Sequence, residues 1–179
     1  MVLVCAPAGS GKTVLLRSWI EAAGLEDQVG WVSVECAERD AQRFWLAVID
    51  ALAGAVDVVE RVAPAPTFHG RAVVEQLLGD LELLEDPVVL VIDDLHELES
   101  DDALEWLELF LASLPPTLRV VLATREDPRL GLHRLRLSGQ LTELRAPDLR
   151  FSVEEMVELL RADGITLSDG AAAAPRFIR

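Results

Sequence analysis

The stretch APAGSGKT, residues 6–13, decides the fold of this chain. It follows a short apolar run, Val2 to Cys5, and precedes a segment in which apolar residues recur at helical spacing up to Ala23. Glycines let successive backbone N–H groups turn toward one point, and the N-terminus of the following helix adds partial positive charge there. A strand, a glycine-rich turn and a helix in this order predict a phosphate-binding loop.

Lys12 in this stretch is the only lysine of the 179 residues, although 16 residues are lysine or arginine. An ammonium group is compact whereas a guanidinium group is a planar fork, so lysine suits a narrow cradle of backbone groups. We expect Lys12 to reach the β- and γ-phosphates of ATP, and Thr13 to offer its hydroxyl to Mg²⁺. Ala6 replaces the first glycine of the simplest motif, a mild change if φ is negative there. The residues expected to bind nucleotide are Ala8, Gly9, Ser10, Gly11, Lys12 and Thr13.

The most apolar run of the chain, Val88 to Ile92, ends on two consecutive carboxylates, Asp93 and Asp94. An uninterrupted apolar run predicts a buried parallel strand, and such strands present ligand-binding groups at their carboxyl ends. As in a Walker B motif, Asp93 is expected to hold Mg²⁺ through water, and Asp94 to orient or deprotonate the attacking water. A helix cap or a surface carboxylate is the alternative for Asp94. His96 either contacts phosphate or covers the end of the sheet.

A second apolar run, Leu118 to Ala123, ends on Thr124 and Arg125. In P-loop proteins with an extra strand between the Walker A and Walker B strands, a polar sensor of the γ-phosphate lies at this position. Arg125 is the candidate, because a guanidinium can contact phosphate in a bidentate manner. A salt bridge to a neighbouring acidic element is the alternative for Arg125.

Strands and helices alternate along the chain, a pattern typical of a three-layer α/β P-loop NTPase with a mostly parallel sheet. We expect one domain over residues 1–168 and an irregular tail over residues 169–179. The other predicted strands are 29–34 and 141–144, and the other predicted helices are 40–53, 70–84, 101–114 and one opened by a capping box of Ser152 and Glu155.

The chain has 31 acidic and 16 basic residues and a formal net charge of −15. This charge opposes direct binding to nucleic acid or to an anionic membrane, so neither is an expected partner. The longest apolar tract, 46–59, is interrupted by Asp50 and Asp57 and is too short to span a membrane. Cys5 and Cys36 are too few for a disulfide framework. We expect both to be buried and reduced, which together with the lack of a targeting segment indicates a cytoplasmic location.

Several short motifs keep an order and spacing that resemble the nucleotide-binding domain of MalT-like regulators of the LuxR family, over about residues 2–168. The resemblance implies a STAND-type NTPase in which ATP and an inducer promote self-association and hydrolysis resets the switch. It also implies that DNA is bound by a separate C-terminal helix-turn-helix, and that this chain lacks both that region and the upstream segment that helps cover the base. The motifs are GWVSV at 30–34, Asp40 with RFW at 43–45, DDLH at 93–96, LPP at 114–116, TREDP at 124–128, LR at 135–136, GQL at 139–141, ELR at 143–145 and DLRF at 148–151.

Three functions are compatible with these patterns. The first is an ATP- and Mg²⁺-binding switch domain with slow hydrolysis, which acts by self-association or through C-terminal regulatory domains. The second is a small P-loop kinase, in which Arg129, Arg134 and Arg136 form a late lid, although consecutive acids at 93 and 94 suit water activation better. The third is a non-catalytic gene fragment that binds nucleotide weakly.

Overall fold

The computed structural model describes residues 1–64 and 68–150, together with Ser152 and Glu155. Apart from one short helix and the 3₁₀ helices, its elements follow the order that the sequence predicts. The strands are β1 (Val2–Cys5), β2 (Val29–Ser33), β3 (Val88–Asp93), β4 (Leu118–Thr124) and β5 (Thr142–Arg145). The helices are α1 (Lys12–Ala23), α2 (Ala41–Ala55), α3 (Gly70–Leu81), α4 (Asp101–Ala112) and α5 (His133–Leu137), with 3₁₀ helices at Glu26–Gln28 and Leu95–Glu97.

The five strands form one parallel sheet in the order β2-β3-β4-β1-β5. Strand β4 pairs with β1 through Leu3 and Leu122, and with β3 through Ile92 and Leu122. The predicted position of the strand that precedes Arg125, between the Walker A and Walker B strands, is therefore confirmed.

The sheet is covered on both faces, because successive side chains of a strand point to opposite sides. Val4, Val91 and Val121 pack with Leu16 and Ile20 of α1 on one face. Leu3, Leu90 and Leu122 pack on the other face with residues of α2, α3 and α4, among which Trp45 and Phe110 are fully buried. The three-layer α/β architecture predicted from the sequence is confirmed.

Two helices end earlier than their apolar periodicity predicts. Helix α4 ends at Ala112, because Leu114 precedes a proline and is disfavoured from helical geometry. Helix α3 ends at Leu81, where the N–H groups of Leu83 and Leu84 bond three residues back and tighten the last turn. Helix α5 was not predicted, because five residues are too few to show periodicity.

Ser152 and Glu155 form the predicted capping box. Glu155 accepts from the backbone N–H of Ser152 at 2.7 Å, and the Ser152 hydroxyl accepts from the N–H of Glu155 at 3.1 Å. The rest of the helix predicted there, the domain end at residue 168 and the tail over 169–179 lie outside the described residues.

The prediction of two buried cysteines is half right. Cys5 is buried at the end of β1, whereas Cys36 is exposed in the segment after β2. Free cysteine usually packs as a small buried apolar residue, but Cys36 follows the strand instead of lying in it. Among the described helices, none has the length and apolarity that crossing a membrane requires.

Gly30 in β2 faces the backbone of α2, which makes this position sensitive to substitution. A Cβ at Gly30 would lie 2.9 Å from the carbonyl oxygen of Ala51. We therefore expect Gly30→Ala to lower the free energy of unfolding in urea by about 1–3 kcal/mol, the usual cost of overpacking. The matched control is Gly54→Ala in α2, whose Cβ would meet no described atom within 4 Å and should leave stability unchanged or raised. Equal losses in both variants would contradict the close approach of β2 and α2.

Candidate functional site

Residues 6–11 connect β1 to α1 as a loop at the carboxyl edge of the sheet, in which Ala6 is buried and residues 7–9 are exposed. Gly9 and Gly11 have φ angles of 76° and 78°, a left-handed conformation that glycine adopts without steric cost. Ala8 lies exposed beside them, and the N–H of Ser10 makes a long contact of 3.4 Å with the carbonyl of Pro7. The sequence therefore has glycine where the loop conformation requires it.

The ammonium group of Lys12 lies inside this loop and is 7% exposed. Its Nζ donates to the carbonyl oxygens of Ala6 at 2.7 Å and Pro7 at 3.1 Å. Within the described residues, the N–H groups of Gly9, Gly11 and Lys12 have no acceptor. Unpaired donors beside a buried cation form an arrangement suited to an anion. Ala6 is not among the described non-glycine residues with positive φ, so alanine fits where the simplest motif has glycine.

Thr13 of α1 and Asp93 of β3 meet at the same edge. The hydroxyl of Thr13 donates to Asp93 Oδ2 at 2.8 Å, and the other carboxylate oxygen accepts from the N–H of Asp94 at 2.9 Å. Asp93 is 2% exposed. Hydroxyl and carboxylate oxygens are ligands that Mg²⁺ prefers, so the two residues predicted for the metal lie together and have suitable chemistry. The described residues contain no group of three or more His, Cys, Asp or Glu side chains placed to hold a metal by themselves.

Asp94 follows β3 with a φ of 55°, a left-handed conformation that aspartate tolerates better than most residues. It precedes the 3₁₀ helix Leu95–Glu97, yet its side chain does not accept a capping hydrogen bond from that helix. The helix-cap alternative is therefore not seen. The carboxylate is partly exposed at the edge where the loop 6–11 also lies.

His96 is nine-tenths buried beside two carboxylates. Its Nδ1 lies 3.9 Å from Asp94 Oδ1, and its Nε2 lies 3.3 Å from Glu97 Oε1. Neither ring nitrogen makes a well-oriented hydrogen bond to a described residue. The imidazole thus lies between Asp94 and Glu97, and both alternatives for His96, a phosphate contact or a cover for the sheet end, stay open.

Glu97 is a charged residue of this edge that the sequence reasoning missed. Its Oε2 accepts from the N–H of Ala37 at 3.3 Å, and its Oε1 lies 4.0 Å from Nη1 of Arg125. Hydrogen bonds from Ala37 and from the Cys36 thiol hold the pKa of this carboxyl below its usual value. The same carboxylate raises the pKa of the Cys36 thiol. No signal in the sequence joins Glu97 to residues 60 positions earlier.

Arg125 leaves the end of β4 and is about half exposed, with its guanidinium near Glu97. The preceding Thr124 is fully buried, and its hydroxyl donates to the carbonyl of Glu126 at 2.8 Å. The salt-bridge alternative for Arg125 is thus present as a long contact, and the guanidinium stays at the same edge as Lys12 and Asp93.

Arg136, one of the arginines that a kinase lid would use, is engaged at the edge strand β5. It pairs with Glu143 at 2.7 Å, and Arg145 pairs with Asp127 at 2.8 Å. Hydrogen bonds from Arg145 to Asp127 and from Arg136 to Glu143 lower the pKa of both carboxyls. These contacts fasten the segment after β4 to β5.

A parallel sheet in this order, with a lysine-bearing glycine loop after β1 and a threonine–aspartate contact at the adjoining edge, defines a P-loop NTPase. The family described as the AAA domain matches residues 1–127. The chain belongs to that AAA family.

Solved structures share the fold. The ORC1 protein of Aeropyrum pernix in complex with DNA has 21% sequence identity and a TM-score of 0.59, covering 91% of this chain and 43% of that chain. Cdc6p from Pyrobaculum aerophilum has 18% identity and a TM-score of 0.57, covering 94% of this chain and 44% of that chain. A chain from the Drosophila ORC bound to GC-rich DNA and Cdc6 has 14% identity and a TM-score of 0.56, covering 93% and 58%.

These structures leave two expectations from the sequence without support. Two of them contain DNA, so the exclusion of nucleic acid on the basis of net charge has no support from them. The chain spans less than half the length of the archaeal ORC1 and Cdc6p chains. The matches concern an AAA domain and do not include a LuxR-type regulator among those described above.

Proposed function

We propose that this chain is an ATP- and Mg²⁺-binding switch domain that hydrolyses ATP slowly. The observation that carries the proposal is the phosphate cradle, in which the buried Lys12 ammonium lies beside the unpaired N–H groups of Gly9 and Gly11. The contact of Thr13 with Asp93 places two candidate oxygen ligands for Mg²⁺ at the same edge of the sheet. Membership of the AAA family supports it, because P-loop domains of this kind bind nucleotide with Mg²⁺.

The loop and Lys12 would hold the phosphates. The helix N-terminus and the backbone donors are directed at an anion, and the ammonium neutralises charge on the β- and γ-phosphates. In the described structure Lys12 is bonded to two loop carbonyls, so its position is set before any ligand arrives. This pre-organisation reduces the entropy lost on binding.

Thr13 would hold Mg²⁺ directly through its hydroxyl, and Asp93 would hold it through water. The metal supplies positive charge that neutralises phosphate oxygens. Asp93 is oriented for this role by the N–H of Asp94, which bonds one carboxylate oxygen and leaves the other facing Thr13.

Asp94 and Arg125 would act on the reaction itself. The oxygen of a water molecule attacks the γ-phosphorus, the bond to the bridging oxygen breaks, and ADP leaves. The carboxylate of Asp94 accepts the proton of that water, and the guanidinium of Arg125 contacts the γ-phosphate oxygens. Both side chains are partly exposed at the edge where the loop lies, which supports these assignments.

More specifically, we propose that this switch domain belongs to a MalT-like regulator of the LuxR family. The support for it is the order of short motifs along the sequence, from GWVSV at 30–34 to DLRF at 148–151. In such a protein the nucleotide state would control self-association or contacts with regulatory domains. The pairing of Arg136 with Glu143 favours this reading over a kinase, because that arginine is already engaged at β5.

Substitution of Lys12 tests whether the loop binds the phosphates of ATP. We expect Lys12→Ala to weaken binding of a fluorescent ATP analogue by at least about tenfold, because a charge-assisted contact to phosphate is lost. Titration of the folded chain with Mg²⁺ present measures the affinity. Arg17→Ala is the matched control, since it removes the same charge from the same helix and the Arg17 guanidinium lies over the Trp31 ring. Equal affinity of Lys12→Ala and the unsubstituted chain, or no binding by the latter, would overturn the proposal.

Substitution of Asp94 tests its proposed role as the proton acceptor in ATP hydrolysis. Asn also tolerates a φ of 55°, so Asp94→Asn should keep the backbone turn while removing the proton acceptor. We expect ATP affinity to stay unchanged and the rate of ADP formation under single turnover to fall by about 10²–10⁴-fold. An undiminished rate would remove Asp94 from the mechanism without touching the binding proposal.

A second candidate function is an ATPase domain that contacts DNA. The observation that favours it is the similarity to ORC1 and ORC chains solved with DNA. Within this chain, residues 119–150 contain seven arginines and four acids, a local excess of positive charge against the overall −15. Such a segment is a candidate for phosphate contacts of the sequence-independent kind.

DNA binding is measurable by the fluorescence anisotropy of a labelled duplex. The second candidate predicts saturable binding at about 50 mM salt that weakens by at least about tenfold at about 200 mM, because neutralised phosphates release counterions. Arg134→Ala should weaken this binding, whereas Arg61→Ala, whose guanidinium pairs with Asp50, should not. An anisotropy that stays flat at low salt, with and without ATP, would exclude direct DNA binding by this chain.

A further inference from the structure

Glu97 lies where two loops of the carboxyl edge meet. The segment after β2 and the segment after β3 are joined by a parallel bridge between Glu38 and Leu98. The N–H of Glu38 donates to the carbonyl of Glu97 at 2.9 Å, and the N–H of Glu99 donates to the carbonyl of Glu38 at 2.8 Å. Together with the bond from the N–H of Glu97 to the carbonyl of Asp94 at 2.9 Å, they fix the backbone of Glu97 on both sides.

The side chain of Glu97 is also held in place from the other loop. The chain enters the 3₁₀ helix Leu95–Glu97 through the left-handed Asp94. From the other loop, Ala37 also has a positive φ, of 54°, and its N–H donates to Glu97 Oε2. Ala37 and Asp94 are the two non-glycine residues with positive φ in the described chain, and they lie in the two loops that meet at the Glu97 side chain. Such strained positions cluster at functional sites.

The carboxylate of Glu97 is ionised at neutral pH and lies between His96, whose Nε2 is 3.3 Å from Oε1, and Arg125. The hydrogen bonds that lower its pKa come from Ala37 and Cys36, so its charge does not depend on Arg125 alone. Its Oε1 lies 4.0 Å from Nη1 of Arg125, within ion-pair range but beyond hydrogen-bond range. A negative side chain is repelled by phosphate, so Glu97 is suited to act on the guanidinium and not on ATP.

We propose that Glu97 is a positioning residue for ATP hydrolysis, holding the guanidinium of Arg125 at the carboxyl edge where the γ-phosphate is bound. This inference rests on the proposed function. Glu97 acts through Arg125: the fixed carboxylate restricts the directions that a half-exposed arginine can take, and so reduces the reorganisation needed when the phosphate arrives.

A double-mutant cycle of Glu97 and Arg125 tests this action. Glu97→Gln keeps an oxygen that can accept from Ala37 but removes the charge, and we expect kcat for ADP formation to fall roughly tenfold while KM is unchanged. In the Arg125→Ala background the same substitution should cause no further loss, because the group through which Glu97 acts is absent. Additive losses would overturn the inference.

Glu99→Gln is the matched control for the cycle. Glu99 lies two residues further along the same loop and pairs with Arg39 instead of Arg125. Its substitution should leave kcat unchanged. A loss equal to that of Glu97→Gln would mean that loop integrity, and not the position of Arg125, sets the rate.

The pH dependence of Cys36 alkylation is a second measurement, which would not change if Glu97 had only a structural role. Glu97 raises the pKa of this exposed thiol, whereas the charge of Arg125 lowers it. Glu97→Gln should therefore shift the pH midpoint of Cys36 alkylation by iodoacetamide downward, as followed by peptide mass spectrometry. When ATP and Mg²⁺ draw Arg125 toward phosphate, the midpoint in the unsubstituted chain should shift upward. Arg125→Ala should abolish that ATP-dependent shift, and persistence of the shift would overturn the inference.

The outcomes separate this inference from the function on which it rests. If the unsubstituted chain binds no ATP, both fail together. If it binds and hydrolyses ATP, and Glu97→Gln matches it in kcat and in the response of Cys36, then only the role of Glu97 fails.

Discussion

The position of β4 controls the assembly of the whole site. Its backbone is hydrogen-bonded to β1 on one side and to β3 on the other. Because all three strands are parallel, the glycine loop, the carboxylates and Arg125 leave the sheet at the same edge. The connection continues past the strand ends, where the N–H of Ala6 donates to the carbonyl of Thr124 and Thr13 donates to Asp93. One sheet order therefore accounts for a site built from three distant parts of the chain.

Charge at this edge is arranged in two adjoining zones. The loop supplies a buried ammonium and unpaired N–H groups in a chain whose net charge is −15. Asp93 and Asp94 supply carboxylates beside it. A nucleoside triphosphate binds as a complex with Mg²⁺, so a receptor needs an anion-binding and a cation-binding surface next to each other. The single lysine fits this requirement, because its compact ammonium group donates to the carbonyls of both Ala6 and Pro7.

The sequence was most informative where a local pattern determines structure. The apolar run of β3 and the glycines of the loop depend on neighbours within a few residues, so both could be predicted, as could the α/β order and the place of β4. Helix ends were less predictable, because they depend on turns such as the one after Leu81. Glu97 and the exposure of Cys36 could not be predicted, since their contacts join residues 60 positions apart. The binding and catalytic roles of the site residues stay predictions, because neither the sequence nor the geometry tests them.

A nucleotide switch requires a group with two alternative partners, and Arg125 meets that condition. Its contact with Glu97 is long and partly exposed, so it keeps the guanidinium near the site without competing strongly with a bound phosphate. A phosphate offers shorter, bidentate, charge-assisted bonds, which are stronger than a screened contact at 4.0 Å. Glu97 itself stays in place, because Ala37 holds it independently of the arginine. Bound ATP would therefore move Arg125 and change the electrostatic environment of the segment after β2, which provides a route from the γ-phosphate to a surface loop.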